Sequence, residues 1–137
     1  MATKTLGYRT FGFGRLPSRW LQRLEAEGIL VRDEGVSIQV TYRHYRAPGR
    51  RYGFKRSLGS GSFALTKQRL AVFYYRWPVF NLPMKHDAWS SIALSVPQAS
   101  VVQITCDASS LDSQKSGQVE IRMRTERAID VLGACIS

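Results

Sequence analysis

The sequence predicts a β-rich single domain, all-β with flanking helices. About seven strands form a bent sheet or partly open barrel, closed by a C-terminal helix, with a short N-terminal helix packed outside. Three observations carry this. Apolar residues alternate at period two in Val36-Ile38-Val40-Tyr42, in Leu70-Val72-Tyr74 and in Val119-Ile121-Met123, which marks strands with one face to a core. Runs such as Pro48-Gly49, Thr66-Lys67-Gln68 and Met84-Lys85-His86-Asp87 punctuate the chain at strand-length intervals. Helical spacing appears near the two ends. With 137 residues and a 44% apolar share, a single core is expected. The domain spans 1–137, with 1–33 as an N-terminal arm and short helix and 34–137 as the β-rich body with its C-terminal helix.

Residues 1–15 combine glycines with Tyr8, Phe11 and Phe13, and read as an extended arm whose rings dock on the body. Pro17 and Ser18 start a helix that runs to Glu27, and Gly28 stands where a terminating glycine belongs. Trp20, Leu21 and Leu24 make its apolar stripe, which is too short to stand alone; Trp with flanking Arg suits a membrane interface, but the narrow stripe and Glu25 and Glu27 favour packing on the domain's own sheet. Asp33-Glu34-Gly35 reads as a turn before the Val36–Tyr42 strand. Gly59-Ser60-Gly61-Ser62 reads as a second turn, followed by a Phe63–Leu65 strand and a hairpin to Leu70–Tyr74. Val79, Phe80 and Leu82 form a short strand, and Pro83 assigns it to an edge. A strand then runs from Trp89 to Val96, and another presents Val102, Ile104 and Cys106 inward. Residues 108–117 are an exposed hairpin loop leading to Gln118–Thr125. Thr125 caps the last helix, whose apolar face is Ala128, Ile129, Leu132, Cys135 and Ile136.

The hairpin stretch Gly61-Ser62-Phe63-Ala64-Leu65-Thr66-Lys67-Gln68-Arg69-Leu70 resembles the Gly-x-hydrophobic-x-Leu-Thr-x-x-Arg-Leu hairpin of GRAM and bacterial PH-like domains, at Gly61, Phe63, Leu65, Thr66, Arg69 and Leu70. The strands-then-helix order over 34–137 is similar to the same family. The resemblance implies a PH-like bent sheet and, through basic residues flanking an inter-strand loop, binding of a lipid headgroup.

Charge points the same way. The net charge is +10, which calls for an acidic partner. The stretch from Arg43 to Arg56 holds six basic residues and no acid, with Tyr45, Tyr52 and Phe54 interleaved. Arg43, Arg46, Arg50, Arg51, Lys55 and Arg56 are therefore the candidate anion-binding residues, since arginines on a hairpin can grip phosphate in a bidentate fashion.

Catalytic and metal chemistry finds little support. There is no CxxC, no HExxH and no acidic cluster of ligand spacing, so no cofactor or metal is expected. Gly59–Ser62 lacks the Lys-Ser/Thr ending of a phosphate-binding loop. His86-Asp87 reads as an exposed turn pair, and Cys106 as a small apolar residue on an inward strand face. Cys106 and Cys135 form no close-spaced pair, and Met1–Phe13 lacks an apolar leader core. A cytoplasmic chain with reduced thiols, peripheral to the membrane at most, is expected. The function that follows is a non-enzymatic binding module, its partner an anionic phospholipid or an acidic protein surface. The alternatives are a protein–protein interaction module, with homo-oligomerisation as one form of it, and single-stranded nucleic-acid binding through arginines and exposed rings.

Overall fold

The longest strand, β1 (Ile29–Ala47), organises the molecule. In the computed structural model, which describes residues 4–136, it is followed by β2 (Arg50–Thr66), β3 (Arg69–Tyr74), β4 (Trp77–Pro83), β5 (Ala93–Gln98), β6 (Val101–Asp107) and β7 (Ser116–Arg124). Helices α1 (Leu6–Phe11) and α2 (Ser18–Glu27) precede the sheet and α3 (Ala128–Ile136) follows it. All seven strands form one open antiparallel sheet in the order β4-β3-β2-β1-β7-β6-β5. The chain is thus two meanders, β1–β4 and β5–β7, joined where β7 returns to β1. No helix among the described residues is long and apolar enough to cross a membrane.

Alternation reads correctly along most strands. Val36, Ile38 and Val40 on β1, Val102, Ile104 and Cys106 on β6, and Val119, Ile121 and Met123 on β7 are all buried in one core with Phe63, Leu65, Leu70 and Val72. Each fully buried large side chain there contributes about 1.5–3 kcal/mol relative to exposure. The β2–β3 half of the sheet is covered on both faces. On its second face, Ala64, Ala71 and Phe73 pack under Leu16 and Leu24, with Trp20 edge-on to Phe73 at 5.5 Å. The stripe on α2 therefore lies on the sheet, as its narrowness predicts.

Helix α2 is also held by charge. The Arg69 Nε–H donates to both Glu27 carboxylate oxygens at 2.9 Å, and the Thr66 hydroxyl donates to Oε1 at 2.9 Å. The same hydroxyl oxygen accepts from the backbone N–H groups of Gln68 and Arg69, which closes the β2–β3 turn. Thr66 and Arg69, two residues of the hairpin motif, thus have a structural task that needs no ligand.

Several expectations are corrected. Gly59-Ser60-Gly61-Ser62 is no turn; it lies inside β2. A Cβ on Gly61 would stand 2.1 Å from Ile38 Cδ1 and 2.2 Å from the Phe73 carbonyl oxygen, so this glycine admits close neighbours rather than bending the chain. Asp33-Glu34-Gly35 is likewise within β1, where Gly35 (φ 67°) makes a bulge opposite Ser62 and Gly61. The strand therefore begins at Ile29 and runs through the expected 33/34 boundary. The N-terminal arm is not extended throughout but forms α1, capped by the Thr5 hydroxyl, with the Tyr8 ring occupying the space a Cβ on Gly35 would need. The residues before Ala93 form a 3-10 turn over Asp87–Ser91 instead of strand, because the His86 ring nitrogen accepts from the Ala88 N–H and caps that turn. On α3 the buried positions are Ala128 and Val131, with Ala134 and Cys135 packed beside them, while Ile129 is exposed. The side chains of Phe11 and Ile136, expected in the docked arm and on the terminal helix face, lie outside the described residues.

Candidate functional site

The Arg-rich stretch is a continuation of β1 and β2, not a long inter-strand loop. The strands pair to the tip, with Tyr45 opposite Tyr52, Arg46 opposite Arg51 and Ala47 opposite Arg50, leaving only Pro48-Gly49 as the turn. Gly49 takes φ 75°, the positive value that a type II turn needs at the residue after its proline.

A bulge then decides which way each side chain points. His44 adopts φ 51° and is the extra residue of β1 against β7, where Arg43 pairs with Gln118 but Arg46 pairs with Ser116. Gly117 (φ 95°) fits beneath it: a Cβ there would lie 2.3 Å from the His44 carbonyl oxygen. Simple alternation would send Tyr42 and Tyr45 to opposite faces. Past the bulge they share one, with ring centroids 4.7 Å apart, and Tyr52 stacks on Tyr45 at 5.8 Å and 14°.

The six basic candidates consequently do not converge on one point. On the outer face, Phe54 is 59% exposed and lies between two guanidinium groups, Arg56 at 5.4 Å and Arg43 at 5.9 Å from its ring centroid. Arg56 also donates to the Thr41 hydroxyl, and Arg43 pairs with Glu120 at 3.4 Å. Leu58, two positions beyond Arg56 on β2, is 67% exposed. Alternation places Arg46 and Arg51 on the face away from Tyr45 and Tyr52, continuing this outer surface to the tip. The inner face carries the other two. The Lys55 ammonium lies 4.6 Å over the Tyr52 ring and donates to its hydroxyl at 3.5 Å. Arg50 lines two adjoining cavities with Tyr42, Trp77 and Val79.

Of the six, Arg43 alone has a carboxylate within ion-pairing distance among the described residues. The reason is compositional: no Asp or Glu occurs between Glu34 and Asp87, so the hairpin and its neighbours β3 and β4 are built without acids. Burial, then the neighbouring tyrosines Tyr45 and Tyr52, raise the Tyr42 pKa above its ordinary 10, with Arg50 partly opposing, so its hydroxyl stays protonated and able to donate at neutral pH. Trp77 and Lys115 join the site only in three dimensions, whereas Leu58 simply continues the outer face of β2. The exposed Trp77 next to Arg76 is the one signal in the sequence that could have marked this surface.

Burial pushes both thiols, Cys106 and Cys135, up to about 11, so neither is a thiolate at neutral pH. Among the described residues no group of three or more His, Cys, Asp or Glu is placed to hold a metal ion.

Fold and site together define an open, seven-stranded antiparallel sheet that carries a basic, aromatic hairpin. Comparison with models of known protein families, with curated proteins and with solved structures finds no match to this chain.

Proposed function

We propose that the chain is a non-enzymatic binding module that docks on an anionic membrane surface through the outer face of the β1–β2 hairpin. One observation carries this reading: Arg43, Arg46, Arg51 and Arg56 share a face with the exposed Phe54 and Leu58. Basic residues beside an anionic bilayer contribute roughly 1 kcal/mol each, and salt weakens them. Arg43 contributes less because Glu120 already neutralises it. Phe54 and Leu58 add apolar contact with the interface that salt does not screen. A GRAM or PH-like relationship would suit this function, and the β1–β2 position of the basic residues is the point of likeness.

Co-sedimentation with vesicles across a salt series tests the proposal. Binding to phosphatidylserine vesicles, absent with phosphatidylcholine alone, is the expected result. Vesicles carrying phosphoinositide at matched net charge should bind equally, because the outer cations are spread along a strand face. Reversing two charges, in Arg46→Glu with Arg51→Glu, should lower the partition coefficient at least thirtyfold or so, taking about 1 kcal/mol for each cation lost. Absence of binding at low salt, or indifference to the double reversal, would overturn the reading. Tighter binding to a single-stranded oligonucleotide than to vesicles would reassign the same face to nucleic acid.

A further inference from the structure

The inner face of the hairpin supports a second site that does not rest on the membrane reading. Between the hairpin and β4 lies a cavity of about 450 Å³, continuous in its lining with a smaller one of about 220 Å³. The two share Tyr42, Arg50, Trp77 and Val79. Lys55 lines the larger and Lys115 the smaller.

Three features of this cleft bear on what it accepts. Its charge is of one sign: among the described residues Arg50, Lys55 and Lys115 line it, and no Asp, Glu or His does. Cations in a walled space attract an anion more strongly than the same cations on an open face, because the low-dielectric walls focus their field. The walls are also aromatic, with Tyr42, Tyr74 and Trp77 around the larger cavity and Tyr45 in the smaller. Finally, the larger cavity falls within the range of small-ligand sites, roughly 300–1,000 Å³, and is too small for a folded partner. A lone inorganic anion would leave most of the cavity and all of the ring surface uncovered.

We infer that this cleft binds a small phosphorylated ligand with a planar ring, a mononucleotide being the simplest form. Its phosphate sits between Arg50 and Lys55, and its ring lies against Trp77. Arg50 offers a fork of N–H donors to two phosphate oxygens, while Lys55 supplies a point charge from further along β2. The Tyr42 hydroxyl donates a further hydrogen bond. Trp77 is 58% exposed and carries the Arg76 guanidinium 5.2 Å from its ring centroid, so the ligand's ring stacks on the face that Arg76 leaves uncovered. Lys115 reaches from the β6–β7 connection and favours a ligand with more than one phosphate group.

Calorimetric titration with the four ribonucleoside 5′-monophosphates, with adenosine and with inorganic phosphate tests this. Saturable binding of at least one mononucleotide is expected, with adenosine and phosphate each weaker by about tenfold or more. Arg50→Gln and Lys55→Gln should each weaken the mononucleotide by about tenfold, consistent with loss of one charge-assisted hydrogen-bonding group, and should leave phosphatidylserine vesicle binding near the wild-type level. Arg51→Gln, on the other face, should leave the titration unchanged. Trp77→Ala should weaken the mononucleotide but not inorganic phosphate. All four side chains are exposed, and an unchanged urea midpoint confirms that each variant folds. Failure of every mononucleotide to bind at about 1 mM, near the weak end of useful affinity, overturns the inference. So does a mononucleotide affinity indifferent to Arg50→Gln and Lys55→Gln, or one matched by phosphate and indifferent to Trp77→Ala.

Discussion

Replacing Gly117 by Ala attacks the bulge on which both faces of the hairpin depend. Gly117 has φ 95°, a conformation that costs an L residue about 1–2 kcal/mol. The added Cβ would also stand 2.3 Å from the His44 carbonyl oxygen and 2.7 Å from Tyr45 Cα, both backbone atoms that cannot swing aside. Relieving that overlap means opening the β1–β7 pairing at the bulge, for a further 1–3 kcal/mol or so. The expected loss is about 3 kcal/mol in urea unfolding, with no change in the slope of the transition. Gly53→Ala is the control from the same hairpin. Gly53 lies outside the left-handed region, and among the described residues nothing stands within 4 Å of the position its Cβ would take, so the change should stay within about 0.5 kcal/mol. Near-UV circular dichroism would follow the Tyr42, Tyr45 and Tyr52 cluster, whose signal should fall in Gly117→Ala alone. A Gly117→Ala loss below about 1 kcal/mol, or one equal to that of Gly53→Ala, would refute the bulge as the feature that sets the faces.

Two further outcomes follow from the packing and the thiols. Glu27→Gln leaves Arg69, only 13% exposed, without its carboxylate, and should destabilise the fold by about 2–4 kcal/mol; in a double-mutant cycle Arg69→Met should recover much of that loss, and additivity of the two changes would show that the pair is not coupled. The thiol pKa values of Cys106 and Cys135 are raised in the folded state from 9.0 to about 11, so the stability they contribute is fully present below pH 9 and is lost as pH rises through about 11. The urea midpoint should therefore fall over that window and do so less in Cys106→Ala, and a thiol reagent at mildly alkaline pH should label the unfolded chain far faster than the folded one.

Much of the fold was legible from residue order because its determinants are local. Alternation in β1, β6 and β7 assigns the core face without any knowledge of neighbours, since side chains along a strand alternate whatever the strand pairs with. The stripe on α2 and the edge position of the proline-flanked β4 were readable for the same reason. Glycines were not. Gly59 and Gly61 carry the composition of a turn, yet they sit in a strand, and they are glycine there because Tyr75, Ile38 and Phe73 approach too closely for a Cβ. Composition records that glycine is needed and not whether the need is conformational or steric. Period alone offers the helix two adjacent apolar candidates, Ala128 and Ile129, and docking against β5 and β6 buries the first and leaves Ile129 exposed.

The candidate site divides along the same line. The chain by itself determined that a single acid-free, arginine-rich segment with interleaved rings would form part of the β body, because charge and pattern are properties of residue order. Only the tertiary structure decided that Arg43, Arg46, Arg51 and Arg56 face away from Arg50 and Lys55. It alone brought Trp77 and Lys115 to the inner face. The physical reason is the bulge at His44. One residue inserted against β7 reverses every subsequent side chain, and whether that insertion forms depends on a glycine more than seventy residues away, Gly117, leaving room for the His44 carbonyl.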